Sequence, residues 1–382
     1  MPWPESDPVK ARMKFVTLQE EERYTHAELC RRFAITRQAG YDLMRRYAEA
    51  GIDGLRHRSH APKRVPHRIS EEIAAMLLEM RRAHTHWGPR TILGRLATLH
   101  PELKLPAAST VGDLFKRSGV VPSRPKRREW RHPGRSTLTA RSPNDMWSVD
   151  FKGQFRTRDA KACYPLTVAD TYTRFLLACS GLSSIGHEGS QKVFERLFRE
   201  YGLPAAIRSD NGAPFSSKAV AGLSRLSAWW TQLGIHHVRT EPGHPEQNGS
   251  HERMHRTLKQ VTVWPPAAHA AEQQGRFDAF RSEYNHERPH HALALKTPGS
   301  LYRPSERVMP KRLPKPEYPG HCIVRRVRAN GIVHFRDRDL FLSQVLVGHD
   351  IAFEEIGDRL WSVYFYDLLL ARFDERTMSF SG

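Results

Sequence analysis

The sequence predicts a multidomain protein. Its N-terminal part is α-helical, built from helix-turn-helix units. Its centre is an α/β region, and its C-terminal part is a small β-barrel. Three observations carry this reading. A chain of 382 residues is too long for one ordinary core, so two to four domains are expected. Apolar residues keep a helical spacing over roughly the first third, then fall into alternating strand and helix patterns. The last stretch holds short β-rich runs separated by glycine.

Composition narrows the partners. The formal net charge is +19, from 60 Lys+Arg against 41 Asp+Glu. That balance suits a polyanion, because each phosphate neutralised releases condensed counterions. Small generic basic proteins are usually poorer in large aromatics than a chain with 8 Trp and 17 Phe. The four cysteines (Cys30, Cys163, Cys179, Cys322) are scattered without a CxxC pair, which excludes a disulfide framework or zinc knuckle. His84 and His86 lack cysteine partners and are expected at the surface or facing DNA. No apolar run is long enough to span a bilayer and no signal-peptide pattern opens the chain, so no membrane partner and a cytoplasmic location are expected.

In the N-terminal part, Thr25-His-Ala-Glu28 has the form of a capping box. Leu29 and Phe33 share a helix face, and Thr36 is placed to cap a second helix. Gly40, Leu43, Met44 and Tyr47 follow at i, i+3, i+4, i+7, and Gly51 is expected to stop that helix. Two helices around a tight turn describe a helix-turn-helix. Arg37, Gln38, Arg45 and Arg46 are the polar side chains of the second helix, placed to contact DNA. A second unit of the same kind follows. Ile73, Met76, Leu77 and Met80 form a stripe after Ser70, Pro89 opens a helix with Ile92, Leu93 and Leu96, and Ser109 precedes Val111, Leu114 and Phe115. The expected divisions are 1–66 and 67–121 for these units and 122–143 for a basic linker. Arg124, Lys126, Arg127 and Arg128 crowd that linker and suit a phosphate backbone.

The region 144–304 is the expected catalytic core. Trp147, Val149 and Phe151 alternate with Ser148, Asp150 and Lys152, a strand signature. Apolar runs from Cys163 to Ala169 and from Tyr172 to Cys179 predict a hairpin beside it. A helix is expected over 188–201, a strand over 206–209 ending at Asp210-Asn-Gly, a helix over 218–233 and a strand over 235–239. Helices are then expected over 250–263 and 275–285. After a linker at 305–317, residues 318–382 carry the β-rich runs of the barrel. Ile323–Arg328 and Ile332–Phe335 flank Asn330-Gly331, a strong hairpin signal. Arg325, Arg326 and Arg328 make this module basic and suited to gripping DNA without reading its sequence.

Three carboxylates in the core suit phosphoryl transfer. Asp150 stands within a strand, Asp210 at a strand end and Glu252 on a helix. A strand interior disfavours Asp, so Asp150 between Val149 and Phe151 is informative. Phosphodiester cleavage needs an activated oxygen and a stabilised leaving oxygen. Two divalent ions supply both, and hard carboxylates suit Mg²⁺. Glu252, Arg256 and Lys259 fall on one helix face, so a carboxylate and two cations stand together. Asn248 and Gly249 give a loop through which substrate approaches.

The combination Trp-Ser-Val-Asp150, Ser-Asp210-Asn-Gly and Pro245-x-x-Asn-Gly249-x-x-Glu252-x6-Lys259 resembles the integrase core of retroviral integrases and bacterial insertion-sequence transposases of the DDE class. Tyr284-Asn-x-x-Arg288-Pro-His, with Leu293 and Thr297-Pro298, is similar to the segment that closes this core in the bacterial members. The resemblance implies an RNase H-like fold with a mixed sheet flanked by helices. It implies Asp150, Asp210 and Glu252 as catalytic metal ligands, Mg²⁺ or Mn²⁺ as cofactor, and homo-oligomers on double-stranded DNA, with transposon ends and target DNA as substrates. It also implies a place at the bacterial nucleoid. The expected function is that of a DNA transposase; an inactive DNA-binding regulator or a nuclease of the same fold are the alternatives. In the family, 35 residues often separate the last Asp from the Glu. Between Asp210 and Glu246 lie 35 residues, and between Asp210 and Glu252 lie 41. Glu252 is chosen on its flanking pattern, and Gly222-Leu-Ser-Arg-Leu-Ser accounts for the extra length.

Overall fold

The computed structural model describes residues 7–57, 69–121, 140–240 and 249–381. The chain divides into two compact units, residues 1–68 and residues 69–382.

The first unit is a three-helix module of α1 (Pro8–Glu20), α2 (His26–Arg32) and α3 (Arg37–Gly54). Thr25 and Glu28 form the expected capping box, and Thr36 caps α3 through the Ala39 amide. Phe15, Val16, Leu29, Cys30, Leu43 and Leu55 make the core. Gly40 lets α2 and α3 approach, since a Cβ there would meet Cys30 Sγ and His26 Nε2 at 2.8 Å. Gly51, with φ +58°, kinks α3 where a stop was expected, and one further turn follows.

The second unit opens with α4 (Glu71–Ala83), α5 (Pro89–Leu99) and α6 (Ala108–Arg117) around Leu77, Trp87, Ile92, Leu96, Val111 and Phe115. This module is docked on the residues that follow. Trp87 Nε1 donates to Glu283 Oε1 at 2.9 Å, and the rings of His84 and His86 lie 3.3 and 3.1 Å from the same oxygen. Burial opposes ionisation of Glu283. The His86 hydrogen bond, the two imidazoles and the Trp87 donor outweigh it and hold the carboxyl below its usual range. The expectation that His84 and His86 face solvent or DNA is therefore corrected: both face one carboxylate within the unit.

The core sheet comprises β1 (Met146–Phe151), β2 (Phe155–Arg156), β3 (Ala162–Asp170), β4 (Leu176–Leu182), β5 (Ala206–Ser209) and β6 (His236–Arg239). Its order is β2-β3-β1-β5-β6, with β4 also paired to β3. β1 runs antiparallel to β3 and parallel to β5, and β5 runs parallel to β6. The sheet is mixed, as expected. Side chains alternate across a strand. Trp147 and Val149 therefore point to one face, packed with Phe194, Phe198 and Trp230 of α7 (His187–Tyr201) and α8 (Arg225–Gln232). Ser148 and Asp150 point to the other, beneath α9 (Gly249–Leu258). There Met254 and Leu258 pack with Phe277 and Phe280 of α10 (Ala270–Ser282).

α8 is shorter than the helix expected over 218–233. Ser224 caps it in a box with Ser227, and Val220–Gly222 is a separate 3₁₀ turn. Leu223, with Val220 and Ala221 beside it, is instead packed into the core of the C-terminal module.

That module is not the closed barrel expected. β7 (Ile323–Arg326), β10 (Asp350–Gly357), β11 (Leu360–Phe365), β12 (Leu368–Asp374) and β13 (Ser379–Ser381) form an open sheet in the order β13-β12-β11-β10-β7. β8 (Ile332–Phe335) and β9 (Arg338–Phe341) form a separate hairpin. The Asn330-Gly331 turn does form, with the Arg328 amide bonded to Ile332 O at 2.8 Å. However, it joins strands of two different sheets, because β7 pairs with β10 and β8 with β9. Gly331, with φ +78°, also accepts the Leu342 and Ser343 amides, and a Cβ would meet Ser343 at 2.9 Å. Val333, Phe335, Phe353, Val363 and Phe373 fill the space between the two sheets.

Candidate active site

Parallel neighbours end on the same side of a sheet. Asp150, next to last in β1, and Asp210, immediately after β5, are thus brought together at the C-terminal ends of adjacent strands. The crevice at such strand ends is where open α/β sheets place ligands. Glu252 stands on the first turn of α9, and its charge is felt weakly at Asp150. Their electrostatic effect on Asp150 is direct. Burial, then the charge of Asp210 and more weakly that of Glu252, push the Asp150 carboxyl up to about 7, against the Phe151 amide and Lys152. Its side chain is 22% exposed, so the site remains open to a ligand.

The Asp210 loop is held by its own short bonds. Asp210 Oδ1 accepts the Gly212 amide at 3.2 Å, Asn211 Nδ2 donates to Thr240 O at 2.9 Å, and Ser209 Oγ donates to Asp210 O at 2.8 Å. Gly212 leaves room for this, since a Cβ would stand 3.1 Å from Asp210 Oδ2.

Beneath Asp150 lies a buried polar chain that sequence reasoning missed. His251 and His255 of α9 are each 3% exposed. Thr167 Oγ1 lies 2.6 Å from both His251 Nε2 and His255 Nε2, and 3.0 Å from Asp150 O. Ser148 Oγ lies 2.8 Å from His251 Nδ1. His255 Nδ1 stands 3.6 Å from Asp150 Oδ2. Burial pushes His251 down to about 3; burial, His251 and Lys152 push His255 down to about 2. Both rings are therefore neutral. The spacing Glu252-x-x-His255, one helix turn, was the signal available in the sequence.

The other sequence-predicted residues are distributed. Arg256 is exposed on α9, and Lys259 is exposed in the π-helical turn Lys259–Val263 that ends it, so the regular helical face breaks between them. Arg37 and Gln38 are exposed on the first turn of α3. Arg45 pairs with Asp42 at 2.6 Å, and Arg46 turns back to donate to Arg56 O at 2.6 Å. Arg325, Arg326 and Arg328 are exposed on the C-terminal module, with Arg326 and Arg328 3.5 and 3.4 Å from Asp350 and Asp339. Arg124, Lys126, Arg127, Arg128, Glu246 and Asn248 lie outside the described residues. Among the described residues, no helix is long and apolar enough to cross a membrane.

Comparison with known proteins identifies two regions of the chain. Family models described as an integrase core domain match residues 140–245 and 233–298, and one described as a homeodomain-like domain matches residues 39–115. The 39.2 kDa protein of insertion element IS476 from Xanthomonas euvesicatoria is 29% identical over 237 residues. That match takes in 60% of this chain and 64% of the relative, so the chain spans just under two thirds of it. The 31.7 kDa protein of insertion element IS407 from Burkholderia multivorans is 26% identical over 242 residues, 62% of this chain and 82% of the relative. The HTLV-2 integrase catalytic core domain in complex with magnesium is matched at 16% identity and TM-score 0.35, over 43% of this chain and all of that one. The chain carries an integrase core domain over residues 140–298, with a homeodomain-like region before it.

Proposed function

From this integrase core and the homeodomain-like segment before it, we infer that the chain is a DNA transposase that cuts at transposon ends and joins them to target DNA. One observation carries the reading. Burial, with the charges of Asp210 and more weakly Glu252 added to it, makes Asp150 hold its proton up to about 7. Like charges gathered in a half-buried site call for a cation, and an all-oxygen carboxylate set suits Mg²⁺ or Mn²⁺. Asp150, Asp210 and Glu252 would hold the ions. Two such ions supply activation of the attacking oxygen and charge stabilisation of the leaving one.

The chain's own residues do the positioning. Asp150 must release its proton to ligate, so metal binding displaces that proton and tightens as pH rises. The Asn211 and Ser209 bonds keep Asp210 at the strand end. Exposed Arg256 and Lys259 offer cations to the phosphodiester beside Glu252. In the first step water attacks the phosphorus at the element end, the bond to the 3′ oxygen breaks, and a 3′-OH is released. In the second that hydroxyl attacks a target phosphodiester, and the target's own 3′ oxygen leaves. No covalent protein intermediate is needed. Arg37 and Gln38 of α3 read the ends, while Arg124, Lys126, Arg127, Arg128, Arg325, Arg326 and Arg328 bind backbone. Two DNA ends call for a homo-oligomer.

The test is direct. Purified chain is incubated with its flanking inverted repeats, target plasmid and Mg²⁺ or Mn²⁺, and end cleavage and joined products are read on a sequencing gel. Products that depend on metal and vanish in Asp150→Asn support the reading. Binding without cleavage in either metal overturns it in favour of a regulator.

A further inference from the structure

The Thr167 hydroxyl has one proton and two lone pairs. It faces three partners: Asp150 O, His251 Nε2 and His255 Nε2. The carbonyl only accepts. All three are satisfied when Thr167 donates to Asp150 O and accepts N–H from both imidazoles. His251 Nδ1 then accepts from Ser148 Oγ, so both nitrogens of His251 are occupied. His255 is left with its second nitrogen, Nδ1, as a free lone pair, 3.6 Å from Asp150 Oδ2. Nothing else among the described residues bonds it. At 3.6 Å the two atoms are too far apart for a good hydrogen bond to each other. Two donor atoms at that separation are within reach of one cation with bonds of about 2.1 Å. His255 also lies one turn beyond Glu252 on α9, and Glu-x-x-His at i, i+3 is a spacing by which one helix presents a carboxylate and an imidazole to the same ion.

We propose that His255 Nδ1 is a nitrogen ligand to the divalent ion held by Asp150 and Glu252. This rests on the three-carboxylate reading above. Thr167 is then the positioning residue, because its hydroxyl sets the ring's tautomer and orientation, as partners of metal-bound imidazoles do. A nitrogen donor shifts preference away from Mg²⁺ towards ions later in the Irving–Williams order, so Mn²⁺ and Co²⁺ bind more tightly than Mg²⁺.

The experiment uses the full-length protein loaded with Mn²⁺ and needs no turnover. Electron spin echo envelope modulation detects ¹⁴N bound directly to Mn²⁺, and protein labelled with ¹⁵N-histidine shifts that signal without any mutation. Free-Mn²⁺ titration by electron paramagnetic resonance gives affinity, with Mg²⁺ as competitor. The wild type is expected to show the histidine nitrogen. His255→Asn should lose it and lower Mn²⁺ affinity by about tenfold or more, relative to the change for Mg²⁺. Thr167→Val should weaken the coupling while leaving some Mn²⁺ bound. Mn²⁺ that binds, is lost in Asp150→Asn, and shows no histidine nitrogen overturns the assignment of His255 and leaves the three carboxylates standing. Mn²⁺ binding that survives in Asp150→Asn overturns both.

Discussion

Asp150→Asn in the metal-free protein is expected to raise stability at pH 8. Folding moves the Asp150 carboxyl from 3.8 up to about 7. Between those values the native state keeps a proton that the unfolded state has lost, so native stability falls as pH rises through that window. Each unit is worth about 1.4 kcal/mol, which sets a ceiling of about 4 kcal/mol for a shift of roughly three units. The side chain is 22% exposed, so solvent screening is limited, but the buried amide carries its own desolvation cost. A net gain of about 2–3 kcal/mol follows. For a domain of this size that is a rise in melting temperature of roughly 5–10 °C. Below about pH 4 the wild-type carboxyl is protonated in both states, and the advantage of Asn disappears. Adding Mg²⁺ at pH 8 should raise the melting temperature of the wild type and leave Asp150→Asn unchanged. Thermal melts in chelator at pH 4 and pH 8, then with Mg²⁺, read all three effects. An equal effect at both pH values, or a less stable variant at pH 8, would refute the claim that folding raises the Asp150 carboxyl.

Other consequences are independent of the metal. Trp87→Ala removes a side chain that is 1% exposed and its bond to Glu283, at a cost of about 3–5 kcal/mol; limited proteolysis near residue 121 should quicken. Leu223→Ala should cost about 2–5 kcal/mol and lower the unfolding temperature of the C-terminal sheet, although it lies far from that sheet in sequence. A fragment of residues 1 to about 140 should bind element ends in preference to random DNA, with affinity falling steeply as salt rises; equal binding in competition would contradict sequence reading by α3.

Much of the core was legible because its signals are local. The alternation Trp147–Asp150 fixed both the strand and the face on which Asp150 stands. The Thr25 and Glu28 box and the Thr36 cap are bonds within four residues, so pattern alone finds them. Pairings between distant segments were not legible. Asn330-Gly331 specifies a turn but not which sheet each arm joins, and the barrel expectation failed there. The helix expected from residue 218 was lost because Leu223 buries itself in a module more than a hundred residues later. His84 and His86 acquired meaning only through Glu283, and His251 and His255 only through Thr167. A histidine's role depends on what faces its two nitrogens, which spacing along one segment does not reveal.

The central claim is that Asp150, Asp210 and Glu252 form the metal-binding, strand-joining site. Glu246 competes for the third position by its 35-residue spacing from Asp210 and lies outside the described residues. Single-turnover joining of a pre-cleaved end in Mg²⁺, compared side by side for Asp210→Asn, Glu252→Gln and Glu246→Gln, is the most direct test. Loss of a ligand in a two-metal site should cost several orders of magnitude, whereas loss of a loop carboxylate should cost about tenfold or less, roughly 1.4 kcal/mol. The account expects Asp210→Asn and Glu252→Gln to be inactive while Glu246→Gln still joins; an active Glu252→Gln beside an inactive Glu246→Gln would contradict it.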